Sequence, residues 1–177
     1  VTLEAVITTG WIRGGSGTYE FLTVSAGGTD TPDDLPSTLN TIDRYDTSDF
    51  TARTITLSNT GATMKINGSA GLTMASMAMI STTLGAKEVW TITNSSQLEH
   101  SFHLHDVPYQ LISINGEAPT GVDLGWRDTY EVVGGGTIVI AMEFTDFADD
   151  TYMYMLHCHL LQHEDEGMMA SLMVTDS

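Results

Sequence analysis

The sequence predicts an all-β protein, a sandwich or barrel of short strands with one short helical turn. Three observations lead to this fold class. Short runs rich in β-branched and aromatic residues recur along the chain. Turn sequences such as Asn-Gly and consecutive glycines separate these runs. Seventeen of the 177 residues are glycine, which is more typical of turns than of helices. A chain of this length fits one domain, or one domain with part of another.

The first fifty residues divide into two parts. Residues 1–26 contain two strand-like runs, at 1–8 and 19–26, which a Gly-rich turn at 13–17 separates. Residues 27–50 are polar and acidic and contain prolines, a composition typical of a linker. A long surface loop inside a single domain is the alternative interpretation.

From residue 50 onward, strand signals follow one another at short spacing. We predict nine strands, at residues 51–58, 63–67, 88–93, 100–104, 109–114, 130–133, 137–144, 151–156 and 170–174. Turn residues separate many of them, for example Asn67-Gly68 and Asn115-Gly116. One short helical turn is expected around residues 160–166.

The composition excludes several classes of function. The sequence has six Lys and Arg and 23 Asp and Glu, which gives a net charge of −17. Nucleic acids and anionic membranes bind basic surfaces, so this charge argues against both as partners. No apolar run is long enough to span a bilayer. A single Cys excludes an intrachain disulfide framework.

The six His and the single Cys all fall in two short windows, residues 100–105 and 157–163. They are His100, His103, His105, His157, Cys158, His159 and His163. Histidines scattered over a core or a surface would not cluster in this way, so the pattern indicates one site.

Alternation along a strand separates these side chains onto two faces. His103 and His105 are expected to point to the same side. His157 and His159 likewise point together, and Cys158 points to the opposite side. Four imidazoles on one face could bind one metal ion or share several, and spacing alone does not decide between these possibilities.

The Cys158 side has the donors of a blue-copper site. His163 and Met168 follow at intervals that let a loop return both side chains to the sulfur, and His100 supplies a second imidazole. Cys, two His and a weak axial Met are the ligands of such sites. The alternatives are zinc, or a Cys158 that is merely a small buried hydrophobe and a Met168 that is a core residue.

The two motifs, at 100–105 and 157–169, resemble those of the last cupredoxin domain of multicopper oxidases. The nearest resemblance is to the bacterial branch of cuprous oxidases, spore-coat laccases and bilirubin oxidases. It covers roughly residues 50–177, and its supporting stretches are Ile66-Asn-Gly68, Glu88-Val-Trp90, Leu111-Ile-Ser-Ile-Asn-Gly116 and Gly125-Trp-Arg-Asp128. The resemblance implies a Greek-key cupredoxin sandwich. Residues 1–35 would be the end of a preceding cupredoxin domain plus a linker, and residues 36–177 the C-terminal domain.

The resemblance also implies a role for each ligand. The matching residues are His100, Cys158, His163 and axial Met168 for the type 1 copper, His103 for the type 2 copper, and His105, His157 and His159 for the paired type 3 coppers. Cys158 is peptide-bonded to His157 and His159, a short route for electrons. Glu164 matches a residue that supplies protons to the cluster; a solvated carboxylate is the alternative.

The resemblance implies copper as the cofactor, with a complete type 1 site and only part of the cluster. A full trinuclear cluster in this family uses eight His in four His-x-His pairs, and this chain has two such pairs. We expect the other two pairs to come from an N-terminal cupredoxin domain, covalently attached or as a separate chain. The 177 residues alone should therefore not reduce O2 to water.

The expected substrate is a small reductant, such as a phenol or a metal ion. Cuprous oxidases of this branch bind Cu(I) through Met and Asp before the first histidine, and residues 95–98 contain neither. The cluster of Met74, Met77 and Met79 has the donor atoms for a soft metal ion, but core packing is the simpler interpretation, which favours a laccase-like oxidase. The implied location is periplasmic or extracellular. The alternative function is a stand-alone blue-copper electron-transfer module.

Overall fold

A computed structural model of the chain describes residues 2–7, 17–23 and 40–176. The chain divides into two compact units, Val1–Asn40 and Thr41–Ser177. In the first unit, strands β1 (Thr2–Ile7) and β2 (Gly17–Thr23) pair antiparallel, with a register shift between Leu3 and Glu4.

Some of the sequence-based predictions concern residues outside the described ranges. The turn predicted at 13–17 lies outside them except for Gly17, and so do the end of the second run, at 24–26, and residues 27–39 of the predicted linker.

The second unit contains eleven strands and one α-helix among its described residues. The strands are β3 (Thr51–Thr60), β4 (Thr63–Ile66), β5 (Ala78–Thr83), β6 (Lys87–Asn94), β7 (His100–Leu104), β8 (Tyr109–Ile114), β9 (Trp126–Arg127), β10 (Thr129–Val132), β11 (Thr137–Glu143), β12 (Asp149–Cys158) and β13 (Met169–Thr175). Helix α1 spans Leu161–Asp165, and short 3-10 turns occupy Met74–Ser76 and Gly121–Leu124. No helix in the described part of the chain has the length and apolar character needed to cross a membrane.

These strands form two sheets, ordered β10-β7-β12-β13-β5 and β4-β3-β6-β11-β8-β9. Consecutive strands repeatedly change sheet: β6, β8 and β11 lie in one, and β7, β10 and β12 in the other. Such crossing connections are typical of Greek-key sandwiches. The all-β cupredoxin sandwich predicted from the sequence is confirmed.

The core lies between the two sheets and takes apolar side chains from both. Strand β6 shows how the sequence produces it, because every second residue from Glu88 to Asn94 is buried. Trp90 and Ile92 fill the middle of this inward face and are fully buried. The inward residues at the two ends of β6, Glu88 and Asn94, are polar, and buried polar groups need hydrogen-bond partners.

Glu88 finds its partners inside the sandwich. Its carboxylate accepts hydrogen bonds from the Trp90 indole at 2.6 Å, the Thr82 hydroxyl at 2.6 Å and the Arg53 guanidinium at 2.7 Å. Burial by itself raises the pKa of Glu88, but the hydrogen bonds from Arg53, Thr82 and Trp90 outweigh burial and hold that pKa below its usual value. The buried carboxylate therefore stays ionised and ties β3, β5 and β6 together.

The structure contains all nine strands predicted beyond residue 50, seven of them with shifted ends, and the helical turn predicted at 160–166 is α1. It adds β5 and β9, which the sequence analysis missed. In β5 only Ile80 and Thr82 are buried, and a threonine in the sequence does not by itself indicate a buried position. β9 has only two residues, too few to show a period.

The core interpretation of the three methionines is wrong for two of them. Met74 is 58% exposed and Met79 is 52% exposed, because the 3-10 turn and the outward face of β5 present them to solvent. Met77 is half-buried, and its sulfur accepts a hydrogen bond from the Ser171 hydroxyl at 3.3 Å.

Residues 43–45 are hydrogen-bonded to the rest of the second unit. The buried Gln110 side chain donates to the carbonyl oxygen of Asp43 at 2.8 Å and accepts from the backbone N–H of Tyr45 at 3.0 Å. The Arg44 guanidinium donates to the carbonyl oxygens of Leu111 and Leu124. The end of the predicted linker is therefore part of the second unit, and the assignment of residues 27–50 as a linker between domains stays a prediction.

Candidate metal centre

Strands β7 and β12 are antiparallel neighbours, and their register brings the two histidine motifs together. His157 lies opposite His103, and Cys158 lies opposite Phe102. The alternation expected from the sequence is therefore present: the imidazoles of His103 and His157 share one face, and Cys158 faces the core side. His100, on the same strand face as Phe102, also points into the core.

Helix α1 returns the chain to this buried face. It ends in a Schellman motif, in which Gly167 N–H donates to the Glu164 carbonyl at 2.8 Å and Met168 N–H donates to the His163 carbonyl at 2.9 Å. Gly167 has φ +91°, the left-handed conformation that this cap requires. The motif brings Met168 beside His163. A further bond, from Cys158 N–H to the Met168 carbonyl at 3.1 Å, joins this loop to β12.

His100, Cys158 and His163 form a compact buried cluster. The two Nδ1 atoms lie 3.1 Å apart, and the Cys158 sulfur lies 3.8 Å from His100 Nδ1 and 3.6 Å from His163 Nδ1. Tetrahedral coordination with bonds of about 2.0 Å to nitrogen and about 2.3 Å to sulfur, the zinc values, implies N–N near ~3.3 Å and N–S near ~3.6 Å. The three donor atoms therefore fit a single metal ion.

Burial sets the protonation states of these three residues. Desolvation, assisted by the neighbouring His163, lowers the pKa of His100 from 6.5 to about 4. Desolvation also lowers the pKa of His163. At neutral pH both imidazoles are therefore uncharged, the form that binds metals.

Burial favours the protonated form of the Cys158 thiol. Desolvation raises its pKa, and the hydrogen bonds from the backbone N–H groups of Leu160 and Ser101 oppose that rise only in part. A buried thiolate needs a strong cationic partner. A soft metal ion would provide it, and the donor set of one thiolate and two imidazoles suits copper or zinc. The side chain of Met168 is fully buried in the same part of the core.

The second cluster consists of His103, His105 and His157. His105 Nε2 lies 3.0 Å from His157 Nε2, and the His103 ring lies 4.6 Å from that of His105 and 5.3 Å from that of His157. Two nitrogens this close need a shared proton or a cation between them. His159 is exposed, and its ring lies 5.1 Å from that of His103.

Neighbouring oxygens orient two of these imidazoles. His103 Nδ1 lies 3.0 Å from the Asp128 carbonyl oxygen and 2.8 Å from the Thr129 hydroxyl. His157 Nδ1 lies 3.2 Å from the Cys158 carbonyl oxygen and 3.4 Å from the Glu164 carboxylate. An Nδ1–H held in this way leaves Nε2 free to bind a metal, as is usual around metal-binding histidines.

The six His, Cys158 and Glu164 named from the sequence lie in or beside the two clusters, whereas no role was predicted for the oxygens of Asp128 and Thr129. Asp128 was noted only as part of a family motif. A backbone carbonyl has no residue-type signature, so no sequence signal could have identified it. Thr129 could have been found only from its place opposite His103 in the β7–β10 pair.

Comparison with known proteins agrees with this site. Residues 31–177 match the family model of multicopper oxidases. A multicopper oxidase of Staphylococcus haemolyticus is 36% identical over 97 residues, which cover 52% of this chain and 21% of that protein. The bilirubin oxidase of Albifimbria verrucaria is 28% identical over 146 residues, which cover 80% of this chain and 25% of that enzyme.

A solved structure shows the same relation in three dimensions. The laccase of Pediococcus acidilactici superposes with a TM-score of 0.72 at 27% identity, over 84% of this chain and 32% of the laccase chain. The chain thus spans about a fifth to a third of these relatives.

The cupredoxin sandwich, with its buried cluster of His100, Cys158 and His163 beside a second His cluster, agrees with these comparisons. The chain belongs to the multicopper oxidase family. That family uses copper, and the donor atoms of the buried cluster are consistent with it.

Proposed function

We propose that this chain is the C-terminal cupredoxin domain of a laccase-like multicopper oxidase. It would take electrons from a small reducing substrate and deliver them to a copper cluster that reduces O2 to water. The observation that carries the proposal is the pair of adjacent clusters, one buried with a thiol and one composed of imidazoles, on opposite faces of the same two strands.

In this proposal His100, Cys158 and His163 hold the type 1 copper, and Met168 is its axial ligand. The convergence of the three donor atoms within 3.8 Å supports the first three assignments. The Schellman motif, which brings Met168 beside His163, supports the fourth. Bound copper would supply one-electron redox chemistry between Cu(I) and Cu(II).

The other cluster would supply half of the oxygen-reducing site. We assign His103 to the type 2 copper and His105, His157 and His159 to the type 3 coppers. Cys158 shares peptide bonds with His157 and His159, so its backbone connects the two metal sites directly. His103 and His105 are half-buried and His159 is exposed, which leaves room for ligands from another domain.

The count of ligands implies that other domain. The sequence contains six His, and two of them are engaged in the buried cluster. An N-terminal cupredoxin domain, in the same polypeptide or as a separate chain, would supply the remaining two His-x-His pairs. Residues 1–35 would then be the end of a preceding cupredoxin domain with its linker, and residues 36–177 the C-terminal domain.

Glu164 is proposed as the proton donor for oxygen reduction. Its carboxylate lies 3.4 Å from His157 Nδ1 and its side chain is 31% exposed, so it is near both the cluster and solvent. From this position it can receive a proton from water and pass it towards the site. The same contact lets it orient His157.

The substrate is proposed to be a phenol or a comparable small reductant, or a metal ion, on the basis of the family resemblance and of the absence of Met and Asp from residues 95–98. The resemblance also supports a periplasmic or extracellular location. Fractionation of cells that produce the full protein would test the location.

The alternative function is a blue-copper electron-transfer module that does not act on oxygen. Such a module needs only the buried cluster, with His100 and His163. The convergence of His105 and His157 to 3.0 Å between their Nε2 atoms would then have no purpose, which favours the oxidase.

The test is electron transfer from a phenol, followed with an oxygen electrode. Under argon, the copper-loaded chain should lose its intense visible band when a methoxyphenol is added. In air, the chain alone should not consume O2 steadily, and addition of the N-terminal domains should start consumption that Glu164→Gln slows. No bleaching by any phenol or reducing metal ion would contradict the electron-accepting role, and steady conversion of O2 to water by the chain alone would contradict the shared cluster.

A further inference from the structure

A buried polar network connects Asn94 and Ser96 to the imidazole of His100. Asn94 and His100 are fully buried, and Ser96 is 4% exposed. The Ser96 hydroxyl lies 2.7 Å from Asn94 Oδ1 and 2.9 Å from His100 Nε2. Neither Asn94 nor Ser96 has a role in the function proposed above.

The partners of Asn94 fix the orientation of its amide. The nitrogen Nδ2 faces three carbonyl oxygens, those of Leu98 at 2.7 Å, Val132 at 2.9 Å and Val133 at 3.1 Å. The oxygen Oδ1 accepts the backbone N–H of Ser96 at 3.0 Å. Because Nδ2 can only donate and Oδ1 can only accept, the reverse orientation would bring like groups together.

The position of the Ser96 proton follows from this orientation. Around the hydroxyl lie two groups that only accept, Asn94 Oδ1 and the Leu98 carbonyl, and one that only donates, the Leu98 N–H at 3.2 Å. The hydroxyl has one proton, and it donates this proton to Asn94 Oδ1, the acceptor at 2.7 Å. The hydroxyl oxygen can then only accept from His100 Nε2, so this bond forms when Nε2 carries the hydrogen.

The backbone holds this arrangement rigidly. Gly135 N–H donates to the Ser96 carbonyl at 3.0 Å. A Cβ at Gly134 would lie 2.5 Å from the carbonyl oxygen of Gln97, so the turn before β11 packs directly on the loop that contains Ser96. The hydroxyl is therefore already in place before any metal binds.

We propose that Ser96, held by Asn94, is a positioning residue that keeps His100 in the tautomer with the hydrogen on Nε2. The Nδ1 lone pair then points at Cys158 and His163, ready to bind a metal. This inference rests on the proposed type 1 site for its functional meaning, and on hydrogen bonds within the chain for its geometry.

The first test needs neither a metal nor a substitution. In the 15N-labelled, metal-free chain, the shifts of the two ring nitrogens of His100 should show Nε2 protonated and Nδ1 unprotonated. A His100 with its hydrogen predominantly on Nδ1 would overturn the proposal. This measurement stays decisive if a variant at Ser96 does not fold.

The second test measures copper affinity through the visible band of the buried site. Ser96→Ala should weaken binding about 10- to 100-fold, the usual effect of losing a group that orients a metal-binding histidine. Ser96→Thr, which keeps the hydroxyl, should restore affinity. Ser95→Ala is the matched control, because the Ser95 hydroxyl bonds instead to the Leu57 carbonyl at 3.1 Å.

The outcomes separate this proposal from the proposed function. Equal affinity of Ser96→Ala and the unsubstituted chain, with His100 unchanged in tautomer, would overturn the positioning role while leaving the copper site intact. Absence of a visible band in the unsubstituted chain would overturn the type 1 assignment, and the nitrogen shifts of the metal-free chain would still decide the positioning role.

Discussion

Among single residues, burial determines the protonation state of the side chains in the buried cluster. His100 and Cys158 are at most 1% exposed and His163 is 8% exposed. Without a metal, the chain keeps two uncharged imidazoles and a thiol close together inside a sandwich. Such an arrangement contributes less to stability than apolar side chains would, so it is better explained by metal binding than by folding.

The first prediction concerns the pH dependence of stability in the metal-free chain. An unfolded His100 binds a proton near pH 6.5, whereas the folded one does so only near pH 4. Between these values the unfolded state binds more protons, so the free energy of unfolding falls as the pH falls. Urea denaturation at pH 7.5 and 4.5 should show about 2 kcal/mol lost through His100.

His100→Gln is the control for this prediction, since it removes the titrating group and leaves the other acids and bases in place. The loss of stability between the two pH values should be smaller in the variant by the His100 contribution. An equal loss in both proteins would show that His100 is not the group responsible.

The second prediction concerns the axial position. If Met168 is the axial ligand, its thioether stabilises Cu(II) relative to Cu(I). Met168→Leu removes this donor, so the reduction potential of the bound copper should rise. A redox titration of the visible band measures this potential. Met64→Leu, a buried methionine on β4, should leave it unchanged, and an unchanged or lower potential in Met168→Leu would argue against axial binding.

The residues that could be predicted from the sequence were those with a rare side chain or with a match to a family motif. The histidines, Cys158 and Glu164 stand out by clustering and by resemblance. Ser96 and Thr129 do not, because serine and threonine are common in strands and turns and their function here depends on one hydroxyl meeting one imidazole. Such contacts are set by tertiary packing, which periodicity does not describe.

At the scale of elements, the positions of His163 and Met168 depend on one helix of five residues and its glycine cap. Helix α1 is too short to be stable by itself, so its end is fixed by the Schellman motif and by contact with the neighbouring loop. Gly71 N–H donates to the Gly167 carbonyl at 2.6 Å. Leu72 covers Gly167, where an added Cβ would lie 2.9 Å from Leu72 Cδ2.

The third prediction follows from this cap. Gly167→Ala should lower the free energy of unfolding by about 1–2 kcal/mol, since φ of +91° is unfavourable for alanine, and it should also shift or broaden the visible copper band. Urea denaturation and absorption spectra measure the two effects.

Gly61→Ala is the matched control, because Gly61 has φ +61° and nothing within 4 Å of an added Cβ. It should lose about 1 kcal/mol through its positive φ alone, less than Gly167→Ala, whose added Cβ also meets Leu72, and its copper spectrum should be unaltered. A Gly167→Ala variant with an unaltered spectrum would show that the cap does not position the ligands.

Strands that alternate and are followed by a turn could be predicted well from the sequence. Strand β5 could not, because it lies at a sheet edge and pairs in parallel with the distant strand β13. The hydrogen bonds of residues 43–45 to Gln110, Leu111 and Leu124 could not be predicted either, because the polar composition of this stretch does not reveal them. Both features involve partners that are remote in sequence.

For the whole molecule, the proposed function treats the two clusters as one complete copper site and part of another. The donor atoms of the buried cluster all lie within the domain, whereas His103, His105 and His159 are accessible at the surface. In that proposal the domain would bind one copper by itself and share further coppers with a partner domain.

The fourth prediction tests the central claim, a type 1 copper held by His100, Cys158 and His163. Copper titration of the purified chain, followed by visible absorption, should give an intense band that saturates at one copper per chain. Cys158→Ser should abolish the band, and His103→Gln, which alters only the second cluster, should keep it. A chain that develops no such band, or a Cys158→Ser variant that keeps it, would contradict the account.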